Sequence, residues 1–293
     1  MIARAAIIGF GEVGRIFARD LAARGVVVAA AWDTAFADLG SRASKEAMAA
    51  GVVRAASATD AVDGVDLVVC SVTAGSDLAA CRAAAPGLRH APFFLDVNSV
   101  SPGTKREAAA AVSAGGGRYV EAAVMASVPP KGLGTPILLG GTHAAAFAEA
   151  AADLGMDLTI FSEEVGRASS VKMCRSVMVK GLEVLATECL LAARRYGVEK
   201  EVLASLSDTL PHPDWAELAR YVISRPLIHG RRRAEEMREV ARTVSEVGVE
   251  PILSVPIADR QDWSAARGAM LPAAITSSAD LGALLDAVLK QNS

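Results

Sequence analysis

The feature that most constrains the fold is a glycine pattern near the N-terminus. It directly follows Ala5 to Gly9, an apolar run with the composition of a buried strand, and it opens an Ala-rich stretch typical of a helix. In this context the first glycine permits a tight turn, the second lets backbone approach a pyrophosphate, and the third allows close helix packing. The pattern predicts a dinucleotide-binding turn made of six residues: Gly9, Phe10, Gly11, Glu12, Val13 and Gly14.

An acidic residue follows at the distance that this kind of turn requires. Asp33 lies 19 residues beyond Gly14, at the end of the second predicted strand. A carboxylate there hydrogen-bonds the adenosine ribose and repels a 2′-phosphate, which favours NAD over NADP. Arg42 or Lys45 offers a contact for a 2′-phosphate, so NADP stays the alternative. We also assign four further residues to the cofactor site: Ser71, Val72, Thr73 and Asn98.

Short apolar runs alternate with Ala-rich helical stretches up to about residue 162, which is typical of successive βα units around a parallel sheet. Continuous Val, Ile and Leu in these runs indicates burial on both faces. The predicted strands are Ala5 to Gly9, Val26 to Trp32, Asp66 to Val72, Phe93 to Val97, Tyr119 to Val124, Ile137 to Gly140 and Leu158 to Phe161.

After Gly166 the pattern changes to apolar residues three or four apart, which predicts a long amphipathic helix ending near Gly197. Its apolar positions are Val171, Cys174, Met178, Leu182, Leu185, Cys189 and Ala193. The remainder reads as helical, with breaks predicted at Pro211-His212-Pro213, Pro226, Pro251, Pro256 and Pro272. We therefore predict an α/β Rossmann domain over residues 1–165 and an all-α C-terminal domain over residues 166–293, joined by the long helix.

Composition narrows the classes of partner and compartment. The formal net charge of -3 over 293 residues argues against a nucleic-acid partner. No run approaches the ~20 apolar residues of a membrane span, and the N-terminal apolar run is too short for a signal peptide. Four dispersed cysteines predict reduced packing residues, so we expect a cytoplasmic protein. The four histidines lack metal-ligand spacing, and no metal site is predicted.

Three later segments resemble the β-hydroxyacid dehydrogenase family, which includes 3-hydroxyisobutyrate and 6-phosphogluconate dehydrogenases. Asp96-Val97-Asn98-Ser99-Val100-Ser101-Pro102 is similar to the family's D-x-S-T-x-x-P segment beside the nicotinamide. Glu121-Ala122-Ala123-Val124-Met125-Ala126-Ser127 corresponds to its D-A-P-V-S-G-G substrate segment, with Met125, Ala126 and Ser127 replacing the serine and glycines. The resemblance runs from Ala5 to about Tyr196, and the rest resembles a subgroup whose C-terminal domain has no assigned function.

The third segment, Gly166-Arg167-Ala168-Ser169-Ser170-Val171-Lys172, resembles the family's G-x-G-x-x-x-K. The resemblance implies that Lys172 is the catalytic acid and base, because the hydroxyl proton needs an acceptor as hydride leaves the carbinol carbon. Ser176 lies four residues further, on the same helical face, where the family has a substrate-contacting asparagine. The resemblance also implies that Ser99, Met125, Ala126 and Ser127 contact the substrate.

These resemblances predict an NAD(P)-dependent oxidoreductase that oxidises a small β-hydroxy acid or reduces the matching carbonyl. The alternatives are an imine reductase, favoured by the altered segment at Met125, and a non-catalytic nucleotide sensor. The substrate is expected to be small and anionic, and the family implies a homodimer. His229 is a further candidate substrate contact. Arg231, Arg232 and Arg233 offer cations to a carboxylate, but pairing of Arg231 with Glu235 and Arg232 with Glu236 on a solvated face is favoured slightly.

Overall fold

The computed structural model describes residues 1–209 and 214–290. The chain forms two compact units that divide between Met173 and Cys174. This division falls inside the long helix, eight residues beyond the domain boundary predicted from the sequence.

A seven-stranded sheet organises the first unit. Its spatial order is β2-β1-β3-β4-β5-β6-β7, and every neighbouring pair is parallel except β5 and β6. All seven predicted strands are present, and none of their ends differs from the prediction by more than two residues. The strands are β1 (Arg4–Ile8), β2 (Val27–Trp32), β3 (Leu67–Cys70), β4 (Phe93–Asp96), β5 (Arg118–Val124), β6 (Ile137–Gly140) and β7 (Leu158–Ser162).

Apolar side chains cover both faces of this sheet, as the uninterrupted apolar runs predict. Along β1, Ala5 and Ile7 belong to one buried cluster, and Ala6 and Ile8 belong to the other. The helices of this unit are α1 (Glu12–Ala23), α2 (Arg42–Ala49), α3 (Ala58–Ala61), α4 (Asp77–Ala84), α5 (Pro102–Ala114), α6 (Val128–Lys131) and α7 (Ala144–Ala150). The long helix α8 (Arg167–Tyr196) follows and continues into the second unit.

The described part of the second unit is helical, as predicted. Its further helices are α9 (Glu199–Thr209), α10 (Trp215–Glu246), α11 (Ser254–Gly268), α12 (Ala273–Thr276) and α13 (Leu281–Lys290). Two glycines allow α10 and α11 to approach closely. A Cβ at Gly230 would lie 2.3 Å from the Gln261 carbonyl oxygen, and one at Gly268 would lie 1.9 Å from the Leu227 carbonyl oxygen.

Two of the predicted proline breaks are wrong. Pro226 lies inside α10, where a proline costs about 3 kcal/mol, and burial of this helix segment against its neighbours outweighs that cost. Pro256 is the third residue of α11, where no intrahelical acceptor is lost because the first amides of a helix have none. Pro251 and Pro272 do lie between helices, as predicted. The break predicted at Pro211-His212-Pro213 lies outside the described residues.

Helix α8 has the predicted length, but its apolar face is turned outward. Met178, Leu182 and Leu185 are 66%, 46% and 67% exposed. Four polar residues of the opposite face are buried instead: Ser176, Lys180, Glu183 and Thr187. The expectation that all four cysteines are packing residues is also wrong, because Cys174 and Cys189 on α8 are exposed while Cys70 and Cys81 are buried.

A search of the described helices for a segment long and apolar enough to cross a bilayer finds none.

Candidate functional site

The glycine turn has the geometry that its sequence predicts. Gly9 adopts a φ of +88°, and a Cβ there would lie 2.5 Å from the carbonyl oxygen of Ser71. At Gly14 a Cβ would lie 2.0 Å from the Gly9 carbonyl oxygen, so this glycine is required for close helix packing. A Cβ at Gly11 would meet no atom within 4 Å. The turn is therefore tight on its protein side and open at Gly11, where a pyrophosphate would approach.

The N-terminus of α1 begins immediately after this open position. Gly11 is the N-cap residue, and no side chain caps the first amides of the helix. Free amides and the helix dipole form an anion-binding site. Glu12 is exposed beside it, and Val13 is half-buried. The residues present fit the pyrophosphate of a dinucleotide.

Asp33 connects the end of β2 to the same turn. Its Oδ2 accepts a hydrogen bond of 2.7 Å from the backbone amide of Phe10, and its Oδ1 accepts one of 2.8 Å from the amide of Ala35. The Phe10 side chain is buried and packs near Phe36, so only the backbone of Phe10 faces the turn. Asp33 is half-buried, which leaves its carboxylate oxygens within reach of a ribose.

The other predicted cofactor and substrate segments follow neighbouring strands. Because β1, β3, β4 and β5 are parallel, their carboxyl ends meet at one edge of the sheet. Ser71 to Thr73 follow β3, and the Ser71 hydroxyl donates a hydrogen bond of 2.9 Å to the Gly9 carbonyl oxygen. Val72 is half-buried and Thr73 is exposed. The structure thus brings these residues to the edge that carries the glycine turn.

Met125, Ala126 and Ser127 follow β5 at this edge. Met125 is half-buried, and its amide donates a hydrogen bond of 2.9 Å to the carbonyl oxygen of Pro136. Ala126 and Ser127 are exposed. The side chains of the last two residues are therefore accessible to a ligand.

Asn98 and Ser99 follow β4 and differ in orientation. Asn98 is buried, and its side-chain nitrogen donates hydrogen bonds to Asp77 Oδ1 at 2.7 Å and Asp96 Oδ1 at 2.9 Å. Ser99 is half-buried. The side chain of Asn98 therefore points into the protein interior, and its predicted part in cofactor binding would fall to its backbone.

A buried network centred on Asp96 supports this loop. Its carboxylate pairs with Lys105 at 2.8 Å, accepts the Tyr119 hydroxyl at 2.7 Å and accepts the backbone amide of Asn98 at 3.0 Å. Burial, and then the charge of Asp96, raises the pKa of Tyr119 far above its usual range, so the phenol stays protonated. Burial opposes the charge on Lys105, but the pKa of its ammonium group is raised, chiefly by the charge of Asp96. The network therefore fixes the start of α5 and the loop before it.

A buried glutamate fixes the start of α8. Glu121 Oε2 accepts a hydrogen bond of 2.7 Å from the Gly166 amide, and Oε1 accepts one of 2.6 Å from the Ser169 amide. Glu121 is fully buried, and it fits only because position 140 is glycine, where a Cβ would lie 2.3 Å from Oε2. Lys172 stands on the second turn of this helix and is half-buried. The carboxylate therefore sets the position of the helix turn that carries Lys172.

Ser176 lies in the second unit and is buried. Its hydroxyl oxygen accepts a hydrogen bond of 3.3 Å from Lys180 Nζ, and Lys180 pairs with Glu236 of α10 at 2.9 Å. Because an ammonium group donates only, the Ser176 proton cannot be used in that bond. Ser176 can therefore still donate its own hydroxyl proton to an acceptor.

A second buried ion pair shows the relative direction of α8 and α10. Arg233 pairs with Glu183, whose other oxygen accepts a bond of 2.9 Å from Gln261. Lys180 pairs with Glu236 and Glu183 with Arg233, so the two helices are antiparallel. His229 lies four residues before Arg233, which places it further from Ser176. Each residue adds ~1.5 Å along a helix axis, so His229 and Ser176 are separated along the two helices. The structure therefore does not bring these two residues together.

The arginine run lies inside α10. Arg232 forms the predicted pair with Glu236. Arg233 is buried rather than solvated, so the interpretation as a solvated face is wrong for this residue. Arg231 is exposed and is not paired with Glu235 in the part of the chain that the structure describes.

Several residues at this site were not predicted. Glu121 was matched only as a segment residue, and Asp77 and Lys105 were not singled out. Their importance depends on contacts between distant parts of the chain. The one signal in the sequence was that Glu121 is a charged residue inside a predicted buried strand. A carboxylate oxygen of Asp77 and the thiol sulfurs of Cys70 and Cys81 also lie within 4.8 Å of one another.

The fold and the open glycine turn define a protein with a dinucleotide-binding Rossmann domain. Residues 4–155 match the NAD binding domain of 6-phosphogluconate dehydrogenase, and residues 193–264 match DUF1932, a domain of unknown function. The chain belongs to the first of these families over half its length, and its first unit is an NAD-binding domain. This confirms the predicted fold class and cofactor class.

Solved structures agree with this assignment. A conserved hypothetical protein from Sinorhizobium meliloti 1021 is 35% identical, with 99% of this chain and 97% of that chain covered and a TM-score of 0.72. Conserved protein MTH1747, of unknown function and described as structurally similar to 3-hydroxyacid dehydrogenases, is 33% identical, with 90% and 99% covered and a TM-score of 0.67. A Mycobacterium tuberculosis 3-hydroxyisobutyrate dehydrogenase shares the fold at 18% identity, with both chains fully covered and a TM-score of 0.71.

Proposed function

We propose that this protein is a nicotinamide-dependent oxidoreductase that oxidises a small β-hydroxy acid, or reduces the matching carbonyl, with Lys172 as general acid and base. The observation that carries the proposal is the placement of Lys172. It lies on a helix turn fixed by Glu121, within the same compact unit as the open glycine turn.

Each of these residues has a defined task in the proposed reaction. The amides at the start of α1 hold the pyrophosphate, and Asp33 contacts the ribose and favours NAD over NADP. The bound nicotinamide supplies a hydride acceptor. Lys172 Nζ takes the substrate hydroxyl proton during oxidation and returns it during reduction.

The proposed substrate is small and anionic. Ser99 and Ser127 are accessible beside the parallel strand ends and offer hydroxyl donors to a carboxylate. Met125 replaces a polar group of the related substrate segment, so the substrate is expected to be less polar near this side chain.

Turnover at the reduced-nicotinamide absorbance band tests this proposal. Wild type, Lys172→Ala and Arg175→Ala would be assayed with NAD and NADP against a panel of β-hydroxy acids, and with reduced cofactor against cyclic imines. Arg175 is exposed on the same helix and serves as the matched control. We expect hydroxy-acid turnover in wild type and Arg175→Ala. In Lys172→Ala we expect turnover to fall by about a hundredfold to ten-thousandfold, with NADH binding kept. Full activity in Lys172→Ala would overturn the proposal, and turnover of imines alone would favour an imine reductase.

We also propose that a second copy of the chain covers the outward face of α8. Met178, Leu182 and Leu185 form an exposed apolar row there, and large apolar rows of this kind mark contact surfaces. Other apolar residues of α8, among them Leu190 and Leu191, are already buried in the core of the second unit, and the exposed row lies outside that core. A homodimer gives these side chains an apolar environment.

Molar mass by light scattering tests the dimer. We expect wild type to have twice the chain mass of 30.2 kDa, and Leu185→Glu to shift towards the single-chain mass. Glu201→Lys on the exposed side of α9 changes charge away from the row and should leave the mass unchanged. A wild type of single-chain mass at micromolar concentration would contradict this proposal without affecting the one on Lys172.

A further inference from the structure

The strongest unexplained feature of the molecule is a pair of buried carboxyl groups that share one amide. Asp77 at the start of α4 and Asp96 at the end of β4 both accept from the side-chain nitrogen of Asn98. Asp77 and Asp96 are 0% exposed, and Asn98 is 5% exposed. The loop containing Asn98 also carries Ser99, so these bonds determine where that loop lies.

The charges of this cluster do not balance if both acids are ionised. Lys105 is the one ammonium group in it, and it lies 2.8 Å from Asp96 and 3.0 Å from the Asp96 carbonyl oxygen. Asp96 and Lys105 therefore form the ion pair. An ionised Asp77 would be a second, uncompensated charge in the interior, which proteins avoid by protonation.

Two orphaned atoms give independent evidence for a proton at Asp77. Asp77 Oδ2 and Asn98 Oδ1 are both buried, and neither has a hydrogen-bond partner. Both are acceptors in the ionised form, whereas protonation makes Oδ2 a donor. The other atoms of these same two groups already meet at 2.7 Å. A single proton on Oδ2 directed to Asn98 Oδ1 would satisfy both atoms and complete a two-bond acid–amide pair.

We propose that Asp77 is a positioning residue that acts as a neutral carboxylic acid, forming a cyclic acid–amide pair with Asn98 and so holding the loop that carries Ser99. The proposal rests on the proposed function only in giving that loop a part in nicotinamide and substrate binding. Deprotonation of Asp77 breaks one of the two bonds and adds a charge beside Asp96. The loop is then held less firmly.

The groups that face Asp77 support a proton transition near neutral pH. Cys81 of its own helix, Cys70 of β3, Asp96 of β4, Lys105 of α5 and Tyr119 of β5 surround it. Burial, and then the charge of Asp96, raises the pKa of Asp77 to about 7, against a smaller opposite effect of Lys105. The neutral form is therefore present below about pH 7, and the ionised form takes over above it.

Infrared difference spectroscopy tests the protonation directly. Wild type minus Asp77→Asn at pH 6 should contain the carbonyl band of a protonated carboxylic acid, and the band should fade towards pH 8.5. Asp153→Asn, at an exposed acid, is the matched control and should yield no such band. Absence of the band in wild type at pH 6 would overturn the proposal.

Fluorescence titration with NADH tests the positioning role. We expect NADH to bind wild type about tenfold more weakly at pH 8.5 than at pH 6, as loss of one hydrogen bond implies. Asp77→Asn retains the acceptor and the donor of the neutral acid, so its affinity should match wild type at pH 6 and stay constant with pH. If wild-type affinity is equally constant, or Asp77→Asn binds poorly at every pH, the positioning role is wrong. If wild type binds no NADH at all, the proposed function fails, while the infrared band still decides the protonation.

Discussion

Removal of the Glu121 carboxylate is the most direct test of how the start of α8 is held. Glu121→Ala leaves the amides of Gly166 and Ser169 buried without partners. An unsatisfied buried amide costs about 1–3 kcal/mol, and a lost charge at a helix N-terminus adds about 0.3–1 kcal/mol. The free energy of unfolding should therefore fall by about 4 kcal/mol, which is a large part of the stability of an ordinary domain.

Two further variants make this prediction specific. Glu121→Gln keeps one acceptor oxygen and loses the other, so about half of the effect, roughly 2 kcal/mol, should remain. Glu163→Ala removes an exposed glutamate near the same helix start and should change stability by less than about 0.5 kcal/mol.

Urea unfolding followed by circular dichroism measures all three variants, and the slope with urea should stay constant. Because Lys172 stands on the second turn of α8, kcat should fall in Glu121→Gln at a temperature where the variant is folded. A loss below about 1 kcal/mol in Glu121→Ala would refute the reasoning, since it would mean that water or another group satisfies both amides.

Three other predictions follow from contacts in the two units. Gly11→Ala should leave the free energy of unfolding in urea unchanged, because its Cβ meets no atom, yet it should weaken NADH binding in a fluorescence titration. Gly14→Ala should destabilise the fold, because its Cβ would lie 2.0 Å from a carbonyl oxygen. The folded state holds the Asp77 proton more tightly than the unfolded chain, because burial raises the pKa of this carboxyl from 3.8 to about 7. Wild-type stability relative to Asp77→Asn should therefore fall as pH rises from about 4 to 7, and urea unfolding at pH 5 and 8 should show a difference of at most about 3 kcal/mol. Arg233→Met leaves Glu183 buried without its ion partner and should cost about 3–5 kcal/mol by the same assay, most of it recovered when Glu183→Met is added.

The strands and the glycine turn were predictable because their signals are local. A strand buried on both faces is a continuous apolar run, and β6 matches its prediction at both ends. Gly9 and Gly14 have steric reasons to be glycine, because a Cβ would lie 2.5 Å or 2.0 Å from a carbonyl oxygen, whereas Gly11 leaves room for a ligand. Their positions in the sequence are therefore enough to predict the turn.

The supporting contacts of the site were not predictable, because they join distant residues. Glu121 meets Gly166 and Ser169 across more than 40 positions. Asp77 meets Asn98 only because α4 and the loop after β4 are brought to one edge of the sheet. A single sequence gives the identity of such residues but not the pairing that decides whether a charged side chain is solvated, ion-paired or neutral.

Helix α8 illustrates the same point for periodicity. Its apolar spacing correctly predicts a helix, and the usual assumption that the apolar face packs inward is wrong here. The middle of the inward face is polar because its charges pair with α10, Lys180 with Glu236 and Glu183 with Arg233. Nearer the C-terminal end of α8, Leu190 and Leu191 pack in an apolar core. Buried ion pairs seldom add stability over apolar residues of the same size, whereas they do fix which residues face each other. The ion pairs on the inward face set the register of α8 against α10. The outward face stays apolar, which is what a helix needs if a second chain is to cover it.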